Sequence, residues 1–368
     1  MSDVDTLRYA VIGVAASVHR SMHRRAQIAE KINVVAGCDI NVEVGKQQTA
    51  EIGCAFYEDY RQMLAEVKPD VAVIVTPHPL HPSMAIDCLR AGCHVLVEKP
   101  MAIDVASADG MIEEANRSGR ILAINFQQRF RPVVEKARAV IAAGEIGSLV
   151  RTLCVEPWFR TAFYYRTAGW RAKWTSEGGG VLLNQAPHTL DILCHLAGMP
   201  LRVWGWTRTL YHAIEVEDTA QAMLEYPNGA PGYLTVSTTE VGVEQRVQIV
   251  GEKGAIELVG NTITIHRINP STREFMTGST EMFAKPETCT ETLDMPDTSG
   301  AHVAVYHDLK AAIKESRPPR ADGHEAIMSL ELANAITLSS YSGQPVTLPL
   351  DRKAYSELLA DLQAGRRR

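Results

Sequence analysis

The sequence predicts an α/β protein in which a doubly wound parallel sheet is followed by an α+β domain with an open, mainly antiparallel sheet. Strand and helix patterns alternate regularly up to Phe126, and the continuous apolar run Val71–Val75 is typical of a strand buried on both faces of a parallel sheet. Beyond Phe126 the alternation ends, and residues 202–267 contain several β-rich runs separated by hairpin turns. We therefore predict two domains, residues 1–126 and 127–368.

The composition excludes several classes of function. The 368 residues are 46% hydrophobic and 22% charged, which is sufficient for two globular domains. The net charge of −6 argues against nucleic acid or an anionic membrane surface as the main partner. The first residues are acidic where a secretory leader is basic, and no apolar run is long enough to cross a bilayer, so we expect a cytoplasmic protein. The seven cysteines form no C-x-x-C pair, and we predict neither disulfides nor a metal site.

Each predicted strand of the first domain is followed by a helical pattern. The predicted strands are 8–13, 33–38, 71–75, 95–97 and 121–126. The helices predicted between these strands are 21–29, 41–52, 58–67, 81–91 and 104–116. Asp104 is a good N-cap for the last of these helices. In such folds ligands bind at the carboxyl ends of the strands, so residues that follow a strand are the first candidates for a site.

The turn after the first strand is where a dinucleotide fingerprint, G-x-G-x-x-G, belongs. Only its first glycine is present, in the run Gly13, Val14, Ala15, Ala16, Ser17 and Val18. Alanine still allows a fairly close backbone approach, and Ser17 offers a hydroxyl to a phosphate at the helix N-terminus. We expect this run, with the exception of Val14, to contact the cofactor.

Asp39 ends the second strand, where a carboxylate can accept hydrogen bonds from both ribose hydroxyls and would repel a 2′-phosphate. A lone acid of this kind is more often a turn or cap residue. Because a β-strand precedes Asp39 and Gly13 ends the strand before that, we interpret Asp39 as a ribose ligand. This predicts NAD as the cofactor, with NADP less favoured.

Two further strand ends carry candidate ligands. Thr76 and Pro77 follow the run Val71–Val75 and are expected to lie against the cofactor, whereas His81 is either a ligand or a cap of the next helix. Lys99 follows the strand 95–97 and is held in a stiff segment by the next residue, a proline. A lysine there can hydrogen-bond a substrate oxygen, although a solvated lysine at a strand end is the alternative.

In the second domain, Asn184, His188 and Asp191 have helical spacing and are expected to share one helix face or its edge. A histidine held by a nearby carboxylate is suited to act as a general base near pH 7. A flexible glycine turn precedes the helix, which is predicted to start near Gln185 and to end at Gly198. The alternatives are an N-cap role for Asn184 and structural roles for His188 and Asp191.

An aromatic and basic stretch runs from Trp158 to Trp174. Aromatic faces stack on the C–H surfaces of sugars, and arginine binds hydroxyls, carboxylates or phosphates. The stretch therefore predicts a binding site for a neutral or weakly charged ring. The alternatives are a site for an acidic sugar and an interdomain loop without a binding role. The expected substrate ligands in it are Tyr164, Arg166, Trp170 and Arg171.

Taken together, these motifs resemble the Gfo/Idh/MocA family of nicotinamide-dependent oxidoreductases over nearly the whole chain. The most specific motifs are Glu98-Lys99-Pro100, and Gly178-Gly179-Gly180 followed by Asn184-x-x-x-His188-x-x-Asp191. The resemblance implies an N-terminal Rossmann domain, Lys99 and His188 as the catalytic pair, and Glu98 near the nicotinamide. Asn184 stands where the family often has an acid, so it is expected to position the substrate.

The resemblance also implies reversible hydride transfer between NAD(P) and a secondary alcohol of a sugar or cyclitol, as in the glucoside 3-dehydrogenases and levoglucosan dehydrogenase. A non-catalytic regulator of the same fold is an alternative, but such members are expected to lack the lysine or histidine. Dehydrogenases of acidic or nucleotide sugars, and reductases of dihydrodiols or pigments, are further alternatives.

We also expect a homo-oligomer, a dimer or a tetramer, with the sheet of residues 202–267 as an interface. An open sheet needs its second face to be covered or polar. The sheet contains too many apolar side chains for one solvated layer, namely Val203, Trp204, Trp206, Val236, Val247 and Val250.

Overall fold

A computed structural model describes residues 7–297 and 301–367. The described residues form two compact units, the first comprising 7–127, 176–178 and 301–330, and the second comprising 128–175, 179–297 and 331–367. A division of the chain at residue 126 places 176–178 and 301–330 in the second domain, whereas their contacts place them in the first unit. The acidic residues at the N-terminus, on which the localisation was argued, lie outside the described residues.

From residue 7 onward, the first part of the described chain has six strands and five α-helices. The strands are β1 (Arg8–Ile12), β2 (Asn33–Cys38), β3 (Ala55–Tyr57), β4 (Val71–Ile74), β5 (His94–Val97) and β6 (Leu122–Ile124). The helices are α1 (Arg24–Ala29), α2 (Val42–Ile52), α3 (Tyr60–Val67), α4 (His81–Arg90) and α5 (Val105–Ser118).

The six strands form one parallel sheet in the order β3-β2-β1-β4-β5-β6, which confirms the doubly wound prediction. All four residues of β4 are buried, as its unbroken apolar sequence requires. The predicted cap is also present, because Asp104 accepts a hydrogen bond from the Ser107 amide at 2.9 Å. Successive strands are added on one side of β1 up to β3 and on the other side from β4 onward. The carboxyl end of β1 therefore lies at the topological switch point of the sheet.

The helix after β1 begins earlier than predicted. Helical residues start at Ser17, and His19–His23 form a π-helical turn before α1. His19 and His23 are fully buried on this turn and their rings stack with centroids 6.3 Å apart. The predicted helix 21–29 includes His23 but not His19, so the helical segment is longer at its start than the sequence predicts.

The rest of the chain contains nine strands and eight α-helices among the described residues. The strands are β7 (Leu149–Pro157), β8 (Arg202–Arg208), β9 (Thr219–Glu225), β10 (Pro231–Ser237), β11 (Arg246–Gly251), β12 (Gly254–Val259), β13 (Thr262–Asn269), β14 (Glu287–Asp294) and β15 (Val346–Thr347). The helices are α6 (Pro132–Ala142), α7 (Ala162–Arg166), α8 (Val181–Asn184), α9 (Pro187–Ala197), α10 (Thr272–Gly278), α11 (His302–Glu315), α12 (Gly323–Ser342) and α13 (Arg352–Gln363).

The nine strands of the second unit form one sheet in the order β14-β13-β12-β11-β7-β10-β9-β8-β15. Every neighbouring pair is antiparallel except β10 and β7, which confirms an open and mainly antiparallel sheet. The edge strand β14 was not predicted, because most of its side chains are exposed and it lacks an apolar alternation. Among the described residues, no helix combines the length and the apolar character needed to cross a membrane.

Strand alternation divides the expected apolar interface between the two faces of this sheet. Val203, Val236 and Val247 are buried on the face that packs within the unit, so they are unavailable to a partner. Trp204 and Trp206 are each 39% exposed on the opposite face. The sequence analysis therefore overestimated the outer apolar set by counting both faces of the pleat.

Candidate active site

The turn after β1 explains why one glycine of the dinucleotide fingerprint is present. Gly13 has a φ of +92°, and a Cβ added there would lie 2.4 Å from the Val75 carbonyl oxygen. The Gly13 and Val14 amides both donate to the Cys38 carbonyl, at 2.9 and 3.2 Å, which binds the turn to the end of β2. A side chain at this position would separate the turn from β4, so glycine is required here.

Asp39 holds the turn after β1 through its carboxylate. Its Oδ2 accepts from the Ala15 amide at 2.8 Å and its Oδ1 accepts from the Asn41 amide at 2.9 Å. A carboxylate oxygen has a second lone pair, so Asp39 can fix the loop and still accept from a ribose hydroxyl. The small side chains of Ala15 and Ala16, with exposed Ser17 at the start of the helix, leave the approach that a pyrophosphate needs. The residues present therefore fit a dinucleotide.

His81 braces two strand ends from inside the first unit. The side chain is fully buried, with Nδ1 2.9 Å from the Pro100 carbonyl oxygen and Nε2 2.8 Å from the Thr76 carbonyl oxygen. Burial lowers the pKa of His81, so the neutral ring donates to one of these oxygens at a time. Leu80, not His81, is the N-cap residue of α4. The His81 side chain therefore supports the segments that follow β4 and β5, and backbone carbonyl oxygens occupy both of its ring nitrogens.

The carboxylate of Glu98 lies at the centre of a buried polar network. Glu98 accepts from His23 Nε2 at 2.7 Å and from the Asn125 side-chain amide, and its Oε2 accepts from the Lys99 backbone amide at 3.1 Å. Tyr306 lies 3.0 Å from His23 Nδ1 and accepts from Gln27. Burial alone would raise the pKa of Glu98, but the hydrogen bonds and charges of His23 and His302 hold it well below its usual range. The network therefore fixes the backbone from which the Lys99 side chain projects.

The same carboxylate belongs to the group of residues with metal-compatible spacing. The ligand atoms of His23, Glu98 and His302 lie within 4.8 Å of one another. A divalent cation can use two imidazoles and a carboxylate. Here the hydrogen bonds from His23 and Asn125 already satisfy one carboxylate oxygen, so this arrangement favours a proton-bearing network over metal ligation.

Lys99 is half-buried directly after β5. Burial, with a smaller contribution from the neighbouring Lys99 charge, lowers the pKa of His78 to about 3. His78 Nδ1 lies 3.1 Å from the Glu177 carbonyl oxygen, so His78 is a neutral hydrogen-bonding residue near pH 7. Lys99 is consequently a cation beside the neutral imidazoles of His78 and His81.

In the second unit the stretch that contains Asn184 and His188 forms two helices, and the second corresponds to the helix predicted from near Gln185 to Gly198. Asn184 ends the short helix α8, and His188 lies in the first turn of α9, which ends at Gly198 as predicted. The helical spacing of Asn184 and His188 therefore does not run along one continuous helix. The break follows from Pro187, which removes a backbone donor at the start of α9.

The glycines before α8 form a fixed turn, not the flexible one that the sequence predicts. The Gly180 and Leu182 amides donate to the Glu217 carboxylate at distances of 2.9 to 3.0 Å. A Cβ on Gly180 would lie 1.8 Å from the Glu217 carbonyl oxygen. Glu217 thus caps α8 and fixes the position of Asn184, and no local sequence signal identified it.

Asp191 is committed to a buried ion pair. Arg129 donates to both of its oxygens, at 2.8 and 2.7 Å, and each side chain is 1% exposed. A bidentate pair of this kind fixes a helix strongly because breaking it would leave an unpaired buried charge. Asp191 therefore positions α9, on which His188 is also buried, and is less suited to contact substrate directly.

The structure brings together several of the predicted substrate ligands. The Tyr164 hydroxyl oxygen lies 3.3 Å from the side-chain amide nitrogens of Asn184 and Gln185. The Arg171 guanidinium lies over the Tyr164 ring at 4.1 Å and over the Trp170 ring at 5.3 Å. These residues form one polar and aromatic surface within the second unit.

Family models match both parts of the chain. Residues 7–126 match the oxidoreductase family with an NAD-binding Rossmann fold, and residues 134–257 match the GFO/IDH/MocA C-terminal domain. The WlbA dehydrogenase of Bordetella pertussis, solved with NADH and UDP-GlcNAcA, is 30% identical over 94% of this chain and 100% of its own, with a TM-score of 0.79.

The chain belongs to the Gfo/Idh/MocA family.

Its curated relatives are dehydrogenases. Trans-1,2-dihydrobenzene-1,2-diol dehydrogenase of Mus musculus is 27% identical over 70% of this chain and 69% of its own length. D-glucoside 3-dehydrogenase of Escherichia coli is 32% identical over 53% of this chain, and the match spans about half (55%) of that relative. The NAD(+)-dependent scyllo-inositol 2-dehydrogenase of Bacillus subtilis is 25% identical over 83% of this chain and 86% of its own.

Levoglucosan dehydrogenase with NADH shares the fold, with a TM-score of 0.80, 20% identity and coverage of 94% of this chain and 100% of its own. The first unit is accordingly an NAD-binding Rossmann domain, and the predictions of family, fold and cofactor are confirmed.

The buried carboxyl group of Glu156 contacts α9 at Thr189, the residue that follows His188. Burial raises the pKa of Glu156, on β7, to about 7, although hydrogen bonds from Thr189 and Gln245 oppose the shift. Thr189 follows His188 in α9, so Glu156 supports the same helix turn.

Because the folded pKa of Glu156 lies above the unfolded value of about 4.3, its stabilisation is complete below pH 4.3 and is lost as the pH rises through 7. We predict that Glu156→Gln removes this loss. The free energy of unfolding of Glu156→Gln minus that of wild type should be larger at pH 8 than at pH 4.5 by on the order of 3 kcal/mol, as measured by urea denaturation. Glu287→Gln, at an exposed position of β14, is the control. Parallel pH profiles for Glu156→Gln and wild type would refute the assignment.

Proposed function

We propose that this protein is an NAD-dependent dehydrogenase that acts on a secondary hydroxyl of a pyranose sugar, a glycoside or a cyclitol. The observation that carries the proposal is the fixed Lys99 at the carboxyl end of β5, in an NAD-binding unit of a family whose relatives include sugar and inositol dehydrogenases. Retention of both Lys99 and His188 favours an enzyme over a nucleotide-binding regulator.

In the proposed reaction, the turn after β1 and Asp39 would hold NAD, which would supply the hydride acceptor for the carbinol carbon of the substrate. Lys99 donates a hydrogen bond to the reacting oxygen and orients it, and its backbone is held by Glu98. His188 takes the hydroxyl proton as general base, while Asn184, an amide that cannot accept the proton, positions the ring. Arg129 and Asp191 keep α9 in place during this step.

A second candidate is a dehydrogenase of acidic or nucleotide sugars. It is favoured by the basic side chains around Tyr164, and by the WlbA relative, which was solved with UDP-GlcNAcA. Both candidates use the same hydride and proton transfers and differ in what the substrate carries besides its hydroxyl.

The chemical step should depend on Lys99 and His188. A positioned acid or base contributes on the order of 10²–10⁴ in rate, so Lys99→Ala and His188→Ala should each lower kcat by a factor in that range. The affinity for NADH, measured by fluorescence titration, should barely change. Lys353→Ala and His307→Ala, at exposed positions, are the matched controls. Near-normal turnover of both site variants would disprove the assignment.

The enzyme should prefer NAD to NADP, because the Asp39 carboxylate would face a 2′-phosphate and its neighbours Cys38, Ile40 and Asn41 carry no positive charge. Asp39→Asn keeps an acceptor for the Ala15 amide and removes the charge. It should narrow the preference roughly five- to tenfold, because an exposed charge contact is worth about 1 kcal/mol. Asp59→Asn, at the N-cap of α3, is the control. A wild-type kcat/KM higher with NADP⁺ would contradict the proposal.

We also propose that the exposed face of the second sheet joins copies of this chain into a dimer or a tetramer. Trp204, Met223 and Tyr233 are directly paired across β8, β9 and β10, and all three are exposed. A continuous apolar row of this kind on an open sheet is typical of an interface.

Met223→Glu should therefore lower the oligomer mass in light scattering at micromolar concentration, because it places a charge in the paired row. Val241→Glu, at an exposed position outside the strands, is the control and should leave the mass unchanged. A monomeric wild-type protein at that concentration would rule out the interface.

A further inference from the structure

The second unit contains a basic cavity that the proposed hydride transfer does not use. Its volume is about 490 Å³, within the range typical of small-molecule sites. Its walls include Tyr165, Arg166, Arg171, Lys173, His212 and Glu215. The cavity therefore combines three cationic side chains, of which Arg171 also stacks on Tyr164.

The arginines in this region have unmet hydrogen-bonding capacity. The Nε atoms of Arg160 and Arg171 are buried and have no hydrogen-bond partner among the described residues. Other Arg171 donors reach the Tyr164 carbonyl oxygen at 3.2 Å and the Thr167 hydroxyl at 3.3 Å. Within the described ranges, no carboxylate lies at ion-pair distance from either guanidinium. A buried donor without an acceptor is costly, so the site is incomplete as it stands.

Two positive charges also converge on one aromatic ring. The guanidinium carbon of Arg171 lies 4.1 Å from the Tyr164 centroid, and that of Arg160 lies 5.0 Å from it. Stacking of this kind fixes the guanidinium plane and leaves the N–H edges directed away from the ring face. Because like charges repel, an anion bound at these edges would relieve the repulsion and satisfy the donors together.

The acidic groups near the cavity do not neutralise it. The buried carboxylate of Asp218 is occupied by the backbone amides of residues 210–212 and by His212 Nδ1 at 3.1 Å. Glu215 is exposed on the cavity wall and forms no ion pair with described residues. One free carboxylate thus opposes Arg166, Arg171 and Lys173, and the cavity remains positive.

The cavity is joined to the proposed reaction site through Tyr164. The Tyr164 hydroxyl lies 3.3 Å from the Asn184 side-chain amide, while its ring carries Arg171. A group bound at Arg171 would therefore lie about one aromatic ring from Asn184, which is the distance between a ring hydroxyl and a substituent elsewhere on the same sugar.

We propose that this cavity binds an oxyanion carried by the substrate, so that the enzyme acts on a sugar bearing a carboxylate or a phosphate. The proposal rests on the proposed dehydrogenase function and specifies its substrate class. Arg171 provides the bidentate contact, and Arg166 and Lys173 supply additional charge. Arg160 keeps the Tyr164 ring in place from its own stacking position.

The test separates anion binding from turnover. Calorimetric titration of the full-length protein, without NAD, compares D-glucuronate and glucose 6-phosphate with glucose. We expect at least one of the two anions to bind tenfold or more tightly than glucose, with the advantage reduced by added salt. The ranking of glucuronate against glucose 6-phosphate distinguishes a carboxylate site from a phosphate site.

Arg171→Gln should abolish the higher affinity for the anionic sugar relative to glucose, and Arg166→Gln should reduce it. Arg273→Gln, at an exposed arginine of the same unit, is the matched control and should change nothing. Melting curves of each variant establish that it is folded, and Arg166→Gln provides the test if Arg171→Gln does not fold. Equal affinity for anions and glucose, or an unchanged advantage in the folded variants, would overturn the proposal.

Turnover distinguishes this proposal from the function on which it rests. Oxidation of neutral glucosides with no effect of Arg171→Gln on kcat/KM would overturn the oxyanion site and leave the dehydrogenase function intact. Anion binding that depends on Arg171, in a protein that reduces NAD⁺ with neither sugar class, would instead count against the dehydrogenase and confirm the anion site.

Discussion

The buried carboxylate of Glu98 is the constraint on which the geometry of the first unit depends. It receives hydrogen bonds from His23 in the π-helical turn before α1, from Asn125 after β6 and from the backbone of Lys99. Three separate segments therefore converge on one charge in a buried environment, where an unpaired partner would be costly. The consequence is a fixed position for Lys99 at the end of the sheet at which a dinucleotide binds.

The second unit applies the same principle with different residues. Arg129 and Asp191 hold α9, and Glu217 holds the glycine turn before α8. In each case a buried charge fixes backbone next to a predicted functional side chain, whereas Asn184 and the aromatic residues around Tyr164 remain partly accessible. Rigid positioning of this kind is what hydride and proton transfer require, because both depend on short and well-oriented distances.

Much of the fold could be predicted from local patterns. The apolar run in β4 and the cap at Asp104 each act over a few residues, and each has the predicted role. The glycine after β1 likewise lies at a turn whose close approach requires glycine. The partners of the functional residues could not be predicted. Asp191 and Arg129 are 62 positions apart, and Glu217 lies 37 positions from Gly180, so no periodicity relates them. Asn184 and His188 lie in two separate helices because Pro187 removes a backbone donor at the start of α9.

The central claim is that this chain transfers hydride from a ring carbon to NAD. The most direct test incubates the enzyme with NAD⁺ and ring-deuterated substrates, methyl glucoside, inositol and glucuronate, and follows the label by mass spectrometry and NMR. The account predicts that one deuterium per turnover appears at C4 of the reduced nicotinamide, with a primary isotope effect on the chemical step. Substrate consumption with the deuterium released to water, or no reduction of NAD⁺ by any of the three, would contradict it.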